Sequence, residues 1–196
     1  HVDCDNLYMV NTIRDADREF KMIRSENGGS SWLSPVNMTD YDDTISEEAF
    51  DPEMLYAVNG DIHMAYTGYS VVDDENAVFI VTSTDNGASW TDPLVVYSGD
   101  DVNTGDGINI FGGTDSDVIT IIFTENISDD IANSIRSTDG GLTWGAKIQV
   151  WTTEFGDPAS CQDSPAGIST RWTQQGDVIH SICQGDFVDD EPNEKK

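Results

Sequence analysis

Basic residues are scarce in this chain. Lysine and arginine together number nine in 196 residues, against 37 aspartates and glutamates, for a formal net charge of −28. A surface with that balance repels phosphate backbones and anionic headgroups, which argues against nucleic acid and membranes as partners. Cysteine is scarcer still. Cys4, Cys161 and Cys183 are the whole set, and none stands in the close Cys-x-x-Cys spacing of a zinc site. Long apolar runs are missing too: no stretch approaches the roughly 20 residues of a membrane span, so no membrane insertion is expected. There is no initiator methionine. The chain opens on His1, as it would after removal of a secretory signal or in an excised segment. A glycine-rich phosphate loop between strand and helix, a Rossmann pattern and a Ser–His–Asp arrangement in a recognisable setting are all absent.

Apolar residues make up 37% of the sequence and aromatic residues 9%, spread in short runs along the whole length. That distribution belongs to a folded chain, and 196 residues are enough for one domain with a sizeable core. Aspartate outnumbers glutamate 27 to 10. The plainest account is a solvated acidic surface; the same surface suits divalent cations, basic partners or a salty milieu. Two sequons, Asn37-Met38-Thr39 and Asn126-Ile127-Ser128, lie in polar, turn-like stretches. Cys161 and Cys183 are disulfide candidates, which leaves Cys4 odd. Together these features lean towards an extracellular or cell-surface setting.

An internal repeat decides the fold. Three octads align without gaps: Ser25-Glu-Asn-Gly-Gly-Ser-Ser-Trp32, Ser83-Thr-Asp-Asn-Gly-Ala-Ser-Trp90 and Ser137-Thr-Asp-Gly-Gly-Leu-Thr-Trp144, with starts 58 and then 54 residues apart. Each follows a β-type run (Phe20 to Arg24, Val78 to Thr82, Ser134 to Arg136). Each precedes another (Pro35 to Met38, Leu94 to Tyr97, Lys147 to Trp151). The chemistry is that of a tight hairpin. Gly29, Gly87 and Gly141 permit the positive φ of a reversal. Asn27, Asp85 and Asp139 offer a short side-chain acceptor to turn amides, and Ser25, Ser83 and Ser137 add a hydroxyl. Trp32, Trp90 and Trp144 supply an apolar plate to seal the hairpin to the core.

These octads resemble the Asp-box, or BNR repeat, of sialidases and many other β-propellers. The resemblance implies an all-β fold: a β-propeller of four-stranded antiparallel blades, with about three blades in this chain, part of a larger or oligomeric ring. It also implies that the boxes are structural, joining third and fourth strands of a blade at the rim away from the ligand face. The first box departs from the pattern in carrying Asn27 for Asp. Second strands are expected at Leu7 to Ile13, Asp61 to Thr67 and Val118 to Thr124. Inner strands are expected at Met54 to Val58 and Ile108 to Phe111. Gly167 to Trp172 and Asp177 to Gln184 would begin a further blade. The implied division is a partial blade over 1–50, blades over 51–104 and 105–160, and a partial blade over 161–196.

The resemblance also implies what a sialidase needs: an arginine triad, a Tyr–Glu nucleophile pair and an Asp acid/base. The Phe/Tyr-Arg-Ile-Pro motif that supplies the first arginine is absent. Of the five arginines, Arg24 and Arg136 directly precede boxes, Arg14 and Arg18 belong to a loop, and Arg171 alone falls in an inner-strand segment. Another glycosidase would need two carboxylates about 5–10 Å apart, and Glu47, Glu48, Asp51, Asp106 and Asp163 lie in inter-blade loops. Asp51-Pro52 and Gly105-Asp106-Gly107 read more simply as turns. Paired aspartates recur between second and third strands: Asp15 and Asp17, Asp73 and Asp74, Asp129 and Asp130, Asp189 and Asp190. On one ligand face they would form an arc suited to a hard cation such as Ca²⁺, with Asp100, Asp101, Asn103 and Asp106 as a second oxygen-rich cluster; no stretch matches a defined calcium loop. His63 and His180 read as ordinary strand histidines. The expectation is a non-catalytic extracellular binding or structural module with a glycan or protein ligand, joined by self-association or further blades. The alternative is part of a sialidase-like glycoside hydrolase whose catalytic residues lie outside this chain.

Overall fold

A computed structural model describes residues 5–14, 18–39, 50–104, 107–125, 131–151, 171–175 and 178–182. The described residues form antiparallel sheets and no helix. The first sheet holds β1 (Leu7–Arg14), β2 (Arg18–Ser25) and the short β3 (Val36–Asn37). The second holds β4 (Phe50–Tyr56), β5 (Ile62–Ser70), β6 (Glu75–Ser83) and β7 (Leu94–Ser98). The third repeats that order with β8 (Asn109–Gly112), β9 (Ile119–Glu125), β10 (Ile131–Ser137) and β11 (Ile148–Trp151). Strands β12 (Arg171–Gln175) and β13 (Val178–Ile182) form a separate pair. Every neighbour in sequence is a neighbour in the sheet, so each sheet is a simple meander.

The middle sheet explains why its strands are apolar at consecutive positions. On β5 and β6, Met64, Tyr66, Phe79 and Val81 face the first sheet and pack with Phe20 and Met22. Ala65, Val78 and Ile80 face the other way, onto Ile119, Ile121, Phe123 and Ile135 of the third sheet. A strand covered on both faces cannot alternate apolar with polar. Phe20 meets Tyr66 edge-on at 5.3 Å, and Tyr66 stacks on Phe79 at 5.2 Å. The first strands β4 and β8 adjoin; a Cβ on Gly112 would come within 2.9 Å of Leu55 Cδ2, so a side chain there would have to displace the end of Leu55. The fourth strands lie at the exposed side, where Leu94, Val95, Ile148 and Val150 meet solvent.

The repeat reaches into irregularities. The pairing of third with fourth strand slips between Val78 and Phe79 in β6 and between Ala132 and Asn133 in β10. These are the same positions relative to Ser83 and Ser137. Most strands extend past their expected ends, β10 by three residues at its start. Polar residues such as Asn133, which pairs with Phe123, continue the ladder where side-chain character alone suggests a stop. In the last pair the turn falls later than expected: Gln175 pairs with Val178, so the first strand runs through Gln175 and the second starts at Val178. The tryptophans are not three equal plates. Trp90 and Trp144 pack against the two cores, whereas Trp32 is 41% exposed.

Candidate functional site

The candidate residues gather at two ends of the sheets, the octad turns and the loops opposite. Each turn is built the same way. The serine hydroxyl, buried in all three copies, accepts from a glycine amide: Gly29 N to Ser25 Oγ at 2.8 Å, Gly87 N to Ser83 Oγ at 2.8 Å, Gly141 N to Ser137 Oγ at 2.9 Å. It donates to the side chain two residues on, at 3.0 Å to Asn27, 2.9 Å to Asp85 and 2.8 Å to Asp139. That same oxygen accepts the amide of Ser31, Ser89 or Thr143. The second carboxylate oxygen takes the hydroxyl of Ser89 at 2.6 Å and of Thr143 at 2.5 Å. These hydroxyl and amide donors hold Asp85 and Asp139 down to about 2. Asn27 solves the same problem in reverse, its Nδ2 donating to Ser31 Oγ at 2.8 Å.

One requirement escaped the sequence pattern. Two successive residues in each turn have positive φ, namely Gly28 and Gly29, Asn86 and Gly87, Gly140 and Gly141. The first of each pair is Gly or Asn, the residues that tolerate this conformation, and that restriction was the available signal. Asn86 also reaches the first sheet: Tyr8 donates its hydroxyl to Asn86 Oδ1, and Arg24 Nη1 donates to Asn86 O at 2.5 Å. Arg24 is thus occupied at the turn end, with Glu26 3.6 Å away. Arg136, next to the third turn, is exposed.

At the opposite end, the β5–β6 loop carries Val71, Val72, Asp73 and Asp74, with both valines exposed. Ser70 Oγ donates to Asp73 Oδ2 at 2.8 Å, Tyr69 donates its hydroxyl to Asp74, and Asp74 has φ 59°. Asn76 Nδ2 donates to Asp100 O at 3.3 Å and to Val102 O at 3.1 Å, which ties the loop before β8 to this one. The bond to Asp74, then burial and the charges of Asp74 and Asp100, push the Tyr69 hydroxyl up. Asp73, Asp74, Asp100 and Asp101 therefore share one end of the second sheet. Among the described residues no three His, Cys, Asp or Glu side chains are gathered as metal ligands. Asp129 and Asp130 lie outside the described residues, as do Asp15, Asp17, Asp189, Asp190, Glu47, Glu48, Asp106, Asp163, Cys161 and Cys183.

A half-buried ion pair at this end has no forerunner in the sequence pattern. Glu125 closes β9 and is buried; Lys147 Nζ lies 2.7 Å from both of its oxygens and 2.8 Å from Tyr97 Oη. Asn133 Nδ2 donates to Glu125 Oε2 at 2.9 Å, and the ammonium stands 4.6 Å from the Tyr97 ring centroid. Burial works to lower the Lys147 pKa, but the bonds to Glu125 and Tyr97 outweigh it and raise it. Tyr97 belongs to the second sheet and the other three to the third, so the group is a joint between sheets.

No family model matches the sequence, and no curated protein matches it significantly. Solved structures match in fold. A protein of unknown function from Dyadobacter fermentans aligns with a TM-score of 0.54 at 17% identity, over 74% of this chain and 46% of its own. A Hadza microbial sialidase aligns at 0.50 and 15% identity, over 69% of this chain and 26% of its own. An endo-arabinase from Bacteroides thetaiotaomicron aligns at 0.50 and 12% identity, over 76% of this chain and 58% of its own. The chain thus spans only part of the length of each. The likeness is one of fold: all-β, of the kind found in propeller enzymes.

Proposed function

We propose that this chain is a segment of an Asp-box β-propeller that serves outside the cell as a non-catalytic binding or structural module. The observation that carries this reading is the position of Arg24 and Arg136, the two arginines whose side chains are described. Both stand beside box turns, at the far end of third strands from the acidic loops, and Arg24 is bonded into the next turn. A nine-residue strand such as β6 puts roughly 25 Å between the two ends. The module's ligand face is the acidic loop end, and its ligand a glycan or a basic protein surface. The sequons and the disulfide candidates Cys161 and Cys183 support the extracellular setting, and no described helix is long and apolar enough to cross a membrane.

Further blades complete the ring in this reading. Met9 is 53% exposed, whereas Met64 and Ile121, at the same register position in the next two sheets, are 0% exposed. The outward face of the first sheet has the shape of a surface that another blade covers. The test is a panel of glycans and basic protein partners titrated against the purified chain, run beside fluorogenic sialosides. Binding without turnover is the expected outcome. Turnover that disappears in Arg171→Ala would discard the non-catalytic reading.

The second reading is a piece of a sialidase-like glycoside hydrolase whose catalytic residues lie outside this chain. It draws on the solved neighbours, two of which are glycoside-cleaving enzymes by name and longer than this chain. An arginine triad encoded in the same gene, outside these residues, would decide for it.

A further inference from the structure

The joint between the first and second sheets and the joint between the second and third are built differently at one equivalent place. One residue before each box serine stands Arg24, Thr82 or Arg136, and opposite the first two stand Tyr8 and His63. At the first joint, Tyr8 and Arg24 both cross to Asn86 of the next turn. At the matching place of the second joint no such bond crosses among the described residues; the contact of Lys147 with Tyr97 lies at the opposite end of the sheets. His63 Nδ1 and Thr82 Oγ1 bond each other at 2.9 Å, and the residue corresponding to Asn86 is Gly140, with nothing within 4 Å of a Cβ placed on it.

His63 shares its face of β5 with Ala65, and Thr82 its face of β6 with Ile80, the face that packs on the third sheet. His63 is 1% exposed, and its Nε2 is buried with no hydrogen-bond partner. A neutral imidazole can leave one nitrogen as an unused acceptor. An imidazolium cannot remain there, because it would bury an unpaired N–H and a charge together.

We infer that His63 makes the joint between the second and third sheets an acid-sensitive latch: neutral His63 lets the sheets close, and protonation loosens them there, while the first joint holds. The charged side chains on the surrounding segments are mainly acidic: Asp61 before β5, Asp85 in the second turn, Asp115 and Asp117 in the β8–β9 turn and Asp139 in the third turn, with Arg24 bonded to Asn86 O of the second turn and Arg136 exposed just before the third. Once the joint opens, water and these carboxylates stabilise the imidazolium. In the closed joint burial dominates and lowers the His63 pKa, with Asp61 pulling weakly the other way. The sign follows from linkage. The open form binds a proton more readily than the closed one, so closure is complete above the ordinary histidine pKa of about 6.5 and weakens below it.

The experiment is amide hydrogen exchange on the whole chain, corrected for the intrinsic rate at each pH. Between about pH 7.5 and about pH 5.5, protection of β8 and β9 is expected to drop about tenfold, the factor set by one pH unit below the ordinary pKa. Protection of β1 and β2 should stay level. In His63→Gln the drop should vanish. Should that variant fail to fold, the His63 ring proton followed by NMR in the unaltered chain serves instead, and its titration must coincide with the loss of protection. Uniform loss across both joints, an unchanged response in His63→Gln, or an imidazole that titrates near pH 6.5 (about its ordinary value) while β8 and β9 stay protected would each overturn the latch.

Discussion

A Cβ built on Gly87 would lie 2.3 Å from Cε of Met22, a residue of the sheet before it. Met22 stands three residues before its own box serine. The next turn repeats the arrangement: a Cβ on Gly141 would lie 3.8 Å from Ile80, also three residues before its serine. Gly87 and Gly141 are therefore the seats on which the preceding sheets rest, as well as the residues that let their turns reverse.

That double role predicts an order of sensitivity. Gly87→Ala forces both a strained φ of 78° and a displacement of Met22, whereas Gly140→Ala meets the strain alone. The strain costs about 1–2 kcal/mol at either position. Overpacking adds about 1 kcal/mol or more at Gly87, part of it relieved because the methionine end is flexible. Gly140→Asn should be the mildest, since Asn86 already holds φ 60° at the matching place. Urea unfolding of the three variants measures this, and equal midpoints for Gly87→Ala and Gly140→Ala would remove the packing role.

The turn aspartates predict an acid limb in stability. Asp85 and Asp139 are held at about 2 in the folded chain by their hydroxyl and amide donors. A depressed carboxylate stabilises the fold fully above its ordinary pKa of about 4 and loses that contribution as pH falls towards 2. Asp85→Asn should still fold, as the natural Asn27 turn does, and should flatten the limb below about pH 4. Thermal melts from neutral to strongly acid solution decide the point: parallel curves for the variant and the parent would refute it.

The Glu125–Lys147 pair predicts asymmetric damage. Lys147→Met leaves a carboxylate buried with only Asn133 to bond it, which costs about 3 kcal/mol. Glu125→Gln keeps a neutral acceptor for the partly exposed ammonium and costs about 1–2 kcal/mol. In the double variant the two losses should fall short of their sum, as they do for partners in one network. Strict additivity in the double-mutant cycle would mean that the contact contributes nothing to the joint.

The charge of −28 predicts a rise of stability with salt. Compaction brings like charges together, and screening shortens their reach to about 10 Å at 0.1 M and 3 Å at 1 M. Assembly through the outward face of the first sheet should strengthen in parallel. Calcium at matched ionic strength should stabilise further only if the aspartate loops bind it, following mass action. Melting and sedimentation in NaCl and CaCl₂ separate these outcomes; superimposed curves would eliminate the cation proposal.

Much of the local design could be read directly. Serine, Asp or Asn, and glycine recur at fixed offsets because a reversal with positive φ needs a residue without Cβ and short side chains to bond its amides. Those are local demands, and Ser83, Asp85 and Gly87 meet them within five residues. The nearly solid apolar run from Val118 to Phe123 points likewise to a strand buried on both faces, and Ile121, Ile122 and Phe123 are all buried. Strand ends were less legible, since Asn133 looks like a terminator until Glu125 is placed beside it.

Sequence alone settled the three turns, the order of strands around them and the acidic surface, because these depend on contacts between near neighbours and on composition. Tertiary structure decided the rest. Only the stacking of sheets brings Met22 under Gly87 and Tyr97 over Lys147, and only stacking buries His63 while leaving Met9 exposed. Those relations join residues some 50 to 65 positions apart or depend on which sheet covers which face. A repeat pattern specifies each sheet but cannot by itself state what lies against it.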